Sequence, residues 1–134
     1  MKTFVIGDIH AQYDAFQRVL DIVRFSDSDR LIILGDTIDR GSDSKSVVEW
    51  LKKRRQVAPQ DIYLLGNHED MFLKLSQGKT QYWDAWLEDG DGRLFLKSYG
   101  IDPDRIQKRG MHYYYMTEGA GRPMSLGSPE ETMR

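Results

Sequence analysis

The stretch Leu31-Ile32-Ile33-Leu34-Gly35-Asp36-Thr37-Ile38-Asp39-Arg40-Gly41 decides the fold. Four apolar residues closed by a glycine read as a buried strand running into a turn. In open α/β sheets the ligand crevice lies beyond the carboxyl ends of the strands, so Asp36, Asp39 and Arg40 are expected where chemistry is done. Carboxylate oxygens suit a hard cation, and the planar arginine fork suits phosphate. Taken alone, the same residues also fit a polar turn closed by a local Asp–Arg pair.

Two further stretches repeat this grammar. Phe4-Val5-Ile6 leads into Gly7-Asp8-Ile9-His10, and Ile62-Tyr63-Leu64-Leu65 leads into Gly66-Asn67-His68-Glu69. On extended backbone Asp8 and His10, two residues apart, point the same way and can reach one ion. Three strand ends presenting Asp and His, Asp, and Asn and His to one sheet edge are predicted to build a two-metal site of nitrogen and oxygen ligands.

The rest of the chain sets bounds on that reading. Its 134 residues suit one domain with a single core. A formal net charge of -2, with 30% charged residues, gives no reason to expect a nucleic-acid or membrane-surface binder. Cysteine is absent, so thiolate metal sites and disulfides are excluded and a reducing compartment fits. No apolar run approaches the ~20 residues of a membrane span. The expectation is a soluble, cytoplasmic protein.

In chain order, strands are predicted at about residues 2–7, 30–34 and 61–65, with helices over 11–24 and 44–56 between them. That order is a βαβ arrangement with parallel strands. Phe16, Val19, Leu20 and Val23 give the first helix one apolar face. The run Lys52-Lys53-Arg54-Arg55 reads as a solvated, dipole-matched helix end. A helix is expected after Glu69, and a short one, capped by Thr80, holds Tyr82, Trp83, Trp86 and Leu87 as core or substrate wall. Leu94-Phe95-Leu96 reads as a short apolar segment ended by a turn, Pro103 starts a helical turn, and residues 112–116 suit a strand. From Gly119 to Arg134 no period survives, and a disordered or poorly packed tail is expected.

Gly7-Asp8-Ile9-His10, Gly35 to Gly41 and Gly66-Asn67-His68-Glu69 together resemble the calcineurin-like metallophosphatases, and within them the bacterial and phage branch of the phosphoprotein phosphatase family. Ser98-Tyr99-Gly100 after a tryptophan-rich helix is similar to the same branch. The resemblance implies an α/β fold, the N-terminal half of a four-layer αββα sandwich, with residues 1–118 as the metallophosphoesterase domain and 119–134 as a divergent tail. It implies two divalent ions, Mn²⁺ first and Fe, Zn²⁺ or Mg²⁺ as alternatives. Asp8 and His10 would hold the first ion, Asp36 would bridge, and Asn67 would hold the second. Arg40 would grip phosphate, and His68, oriented by Asp39, would protonate the leaving oxygen. The implied substrates are phosphoproteins or small phosphomonoesters. Symmetrical dinucleoside tetraphosphatases look similar across all three motifs and form the alternative, although Asp39 and Glu69 favour the protein-phosphatase-like branch.

Two departures from the pattern matter. Ala11 stands where the family usually has glycine, which is tolerated unless the turn needs positive φ. The family's second half supplies two more metal histidines and another arginine, whereas this chain's histidines are His10, His68 and His112. His112 precedes its apolar run and is expected to be a packed or surface residue. The isolated chain is therefore expected to bind metal weakly and turn over poorly, or to be a catalytically weak metal-binding fragment. Its uncovered half-sandwich is expected to favour self-association.

Overall fold

The computed structural model describes residues 1–89, 91–110, 112–117 and 124–127. Strand β1 (Thr3–Ile6), helix α1 (Tyr13–Ile22), strand β2 (Arg30–Ile33), helix α2 (Ser44–Val57), strand β3 (Ile62–Tyr63) and helix α3 (Asn67–Ser76) follow in order. The three strands form one parallel sheet in the order β1-β2-β3. The predicted βαβ arrangement is what forms, with shorter strands because each gives way to a glycine-led turn.

Register determines what each sheet face carries. Ile6, Ile33 and Tyr63 pair across the sheet in one row. With Phe4 and Leu31 they pack on Phe16, Leu20, Val47 and Leu51 of α1 and α2. The alternate row, Val5, Ile32 and Ile62, points the other way, and Leu34 and Leu64 continue it past the strand ends. Val5, Leu34, Ile62 and Leu64 are exposed. Parallel sheets are normally covered on both faces. Here α1 and α2 cover one, and these aliphatic side chains leave the other bare among the described residues.

The basic run of α2 differs from its expected solvated role at one position. Arg54 is buried and donates to Asp61 at 2.7 Å and to the Asp29 carbonyl at 2.8 Å. Asp61 also accepts from the Leu31 N–H at 2.8 Å. The guanidinium thus ties the end of α2 to the starts of β2 and β3. A buried charge is tolerable only when paired and hydrogen-bonded in this way.

A second cluster, formed by Ile38, Leu75, Trp86, Leu87, Phe95 and Leu96, lies under α3 and helix α4 (Gly92–Ser98). Here the structure refines two readings, at residues 94–96 and in the tail, and bears out the helical turn at Pro103. Residues 94–96 lie inside α4, because the apolar side chains Phe95 and Leu96 face a helical packing surface. After a 3₁₀ turn at Pro103–Arg105 the chain enters strand β4 (Ile106–Arg109), which pairs antiparallel with β5 (His112–Tyr115). Within the supposed tail, Met124–Gly127 forms strand β6 against β5. The rest of that tail lies outside the described residues.

Candidate functional site

Three loops meet beyond the carboxyl ends of β1, β2 and β3. The first is zipped to the second by main-chain bonds. Ile9 and His10 N–H both donate to the Asp36 carbonyl, at 3.0 and 2.9 Å, and Ala11 N–H donates to the Thr37 carbonyl at 2.9 Å. Gly41 N–H returns to the His10 carbonyl at 3.1 Å. His10, Ala11, Asp36, Asp39 and Arg40 all have positive φ, between 43° and 67°. Such residues cluster at functional sites when surrounding contacts over-determine them. The turn at Ala11 does need positive φ, at 57°, so the alanine there carries strain that a glycine would not.

The second and third loops cross at two glycines. A Cβ at Gly35 would meet the Gly66 nitrogen at 2.5 Å, and one at Gly66 would overlap the Asp36 carboxylate. Gly66→Ala is therefore expected to displace Asp36 and cost about 1–3 kcal/mol, the usual penalty of overpacking. Thermal unfolding together with Mn²⁺ titration checks this. An alanine variant with unchanged stability and metal affinity would contradict the close crossing.

Glu69 holds the crossing in place. Its carboxylate accepts from the N–H groups of Asp36 (2.8 Å), Thr37 (2.6 Å), Ile38 (3.3 Å) and Gly66 (2.9 Å), and from the Thr37 hydroxyl (2.8 Å). Burial alone would raise its pKa. The bonds from Thr37 and Asp36 outweigh burial and hold it below the usual value of 4.5. The reach from Glu69 to the Gly66 N–H is half of a capping box, with glycine at the cap. That spacing was legible in the sequence, but the four further bonds depend on the fold.

Asp8, His10 and Asp36 each present a ligand atom within 4.8 Å of the others. His10 Nδ1 lies 2.9 Å from the Ile38 carbonyl, which can only accept. The ring proton therefore sits on Nδ1, leaving Nε2, 3.7 Å from an Asp8 oxygen, free to ligate. Asn67 is the first residue of α3, and one of its amide heavy atoms lies 3.2 and 3.0 Å from the two Asp36 oxygens. A nitrogen there donates to both. An oxygen there would gather three acceptors, an arrangement that a divalent cation reconciles. Carboxylate, imidazole and amide oxygen suit Mn²⁺, Fe or Zn²⁺ better than soft ions, so the residues fit the expected metals.

The remaining sequence-predicted residues adjoin this cluster. The His68 ring meets the His10 ring edge-on, with centroids 4.9 Å apart. His68 Nδ1 is 2.9 Å from Asp39 Oδ2, and both side chains are buried. Burial pushes the Asp39 carboxyl up from 3.8, against the pull of His68 and Trp86. Asp39 also anchors locally, its N–H donating to Ser44 Oγ at 3.1 Å. Arg40 is exposed, next in sequence to this pair. His112 lies apart from the metal-competent cluster and stacks on Tyr114. The sequence reading placed Trp86 in the core or a substrate wall, not beside Asp39, and gave Ser44 no site role; no local spacing signals either contact.

Comparison with known proteins adds to this geometry. A symmetrical bis(5'-nucleosyl)-tetraphosphatase of Nitrosospira multiformis is 37% identical over 79 residues, covering 58% of this chain and 28% of that protein. A protein of the same name from Chromobacterium violaceum is 28% identical over 116 residues, 82% of this chain and 41% of its own length. Serine/threonine-protein phosphatase 2 of Escherichia coli is 36% identical over 98 residues, 72% of this chain and 38% of that protein. The chain spans about a third of the length of these relatives. The family model described as calcineurin-like phosphoesterase matches residues 1–126. With its strand-end ligands and their spacing, this α/β chain belongs to the calcineurin-like phosphoesterase family.

Proposed function

We propose that this site hydrolyses phosphomonoesters, phosphoserine and phosphothreonine among them, with two divalent ions, Mn²⁺ first. The observation that carries the reading is the buried Asp39–His68 pair set against a cluster of Asp8, His10 and Asp36. Asp8, His10 and Asp36 would hold one ion, and Asp36 with Asn67 the other. When bound, such ions supply a water nucleophile at neutral pH and neutralise charge on the phosphoryl group.

The chain's own residues do the rest. His68 Nδ1 faces Asp39, so its proton for the leaving oxygen is delivered from Nε2. Asp39 fixes that ring orientation. Arg40, exposed and always charged, grips the phosphoryl oxygens through its planar fork. Arg40→Ala is expected to weaken inhibition by inorganic phosphate about 10- to 100-fold, as loss of charge-assisted hydrogen bonds does. Unchanged phosphate inhibition would remove Arg40 from the site.

The similarity to two symmetrical tetraphosphatases favours a second reading, hydrolysis of dinucleoside tetraphosphates. A third reading is a metal-binding chain with little turnover, since among the described residues the metal-competent cluster is Asp8, His10 and Asp36. Parallel assays of p-nitrophenyl phosphate and diadenosine tetraphosphate with added Mn²⁺, alongside elemental analysis, separate the three. Preference for the monoester supports the first reading. Preference for the tetraphosphate replaces it with the second, and bound metal with no hydrolysis of either leaves the third.

A further inference from the structure

Trp86 lies 47 residues from Asp39 in sequence, yet its indole Nε1–H donates to Asp39 Oδ2 at 2.8 Å. His68 Nδ1 meets that same oxygen at 2.9 Å, while Asp39 Oδ1 is buried and has no partner among the described residues. All three residues are at most 4% exposed. A carboxylate bonded through one oxygen is free to rotate about its Cβ–Cγ bond unless a second donor fixes that oxygen. The indole is the second donor. Two local features seat it. Trp86 sits in a π-helical turn, Ala85–Asp89, a geometry that recurs at functional sites. A Cβ at Gly92 would overlap the indole, so the glycine clears its place.

We infer that Trp86 is a positioning residue, holding the Asp39 carboxylate so that His68 keeps its proton on Nδ1 and its Nε2 edge turned away from Asp39. This deepens the reading of His68 as the acid and rests on it for its catalytic meaning, though the hydrogen-bond relay itself does not. Trp83 is a built-in control. It packs against Trp86, with ring centroids 6.0 Å apart, but its buried Nε1 has no partner among the described residues.

Nitrogen-15 NMR of the whole chain, without metal or substrate, tests the inference. Trp86→Phe keeps an aromatic ring among Phe72, Trp83 and Phe95 but deletes the donor. It is expected to speed solvent exchange of the His68 Nδ1 proton about tenfold, the measure of one hydrogen bond to a charged group, and to shift the ring nitrogens. Trp83→Phe is expected to leave both unchanged. Equal effects from the two variants, or none from Trp86→Phe, would overturn the inference. Should Trp86→Phe not fold, Asp39→Asn decides instead: a shifted Trp86 indole N–H with Trp83 unmoved supports the relay, and an unmoved Trp86 signal overturns it. These spectra require no turnover, so they stand or fall separately from the hydrolysis assays.

Discussion

Asp36→Asn is expected to weaken binding at both proposed ion positions, whereas His68→Ala is expected to leave metal binding nearly unchanged and slow turnover. Asp36 is the shared point of the cluster. Its carboxylate lies beside the Asp8 and His10 ligand atoms and within 3.2 Å of the Asn67 amide. It also accepts the His68 backbone N–H at 3.1 Å, a bond that an asparagine oxygen can keep. The substitution thus removes charge with little loss of structure. His68 contributes its ring to Asp39, so alanine there should slow hydrolysis about 10²- to 10⁴-fold, the usual worth of a general acid. The slowing should be greatest for poor leaving groups. Elemental analysis after dialysis and a leaving-group series check the pair. Equal metal loss in both variants would show that the two roles had been confused.

The second large effect is at Glu69. Glu69→Gln replaces an acceptor of five hydrogen bonds by a side chain that brings two donors of its own. A loss of about 2–4 kcal/mol is expected, since bonds to a charged partner are each worth about 1.5–3 and some would survive. The sign with pH follows from the depressed pKa. The carboxylate's contribution is complete above the unfolded value of 4.5 and fades as the pH falls through the lower folded value. The stability gap between wild type and Glu69→Gln, measured by denaturant unfolding without metal, should therefore shrink on acidification below 4.5. Asp39 works in the opposite sense. Its raised pKa means that protonation favours the folded form, so its own term improves as the pH falls. A gap that widens in acid would contradict the role given to Glu69.

The parts of the molecule that could be read from the sequence are those set by local pattern. Leu31 to Leu34 and Gly35 announced a strand end, and Asp8, His10, Asp36 and Asn67 did converge across nearly 60 residues. The Asp39–His68 pair came from family resemblance, since no spacing relates residues 29 apart. Leu94-Phe95-Leu96 was ambiguous because a three-residue apolar run fits a strand or a helix equally. Met124–Gly127 gave no alternation to read, and its pairing with β5 depends on a partner strand. The bonds of Trp86 to Asp39 and of Glu69 to the Asp36–Ile38 loop were hidden for a deeper reason. Each depends on a loop path that exists only once strands distant in sequence are paired.

The left-handed residues of these loops set how the chain responds to its supply of metal. Each non-glycine residue at positive φ costs roughly 1–2 kcal/mol, and His10, Ala11, Asp36, Asp39 and Arg40 concentrate that cost at one edge of the sheet. A local opening of this edge, with the α1 and α2 core still intact, would relieve that cost. An ion held only by the closed loops opposes that opening by mass action, adding about 2.7 kcal/mol at a hundredfold excess over its dissociation constant. An ion bound there would act as a clasp, and proteolytic cleavage at these turns is expected to slow as divalent ion is added.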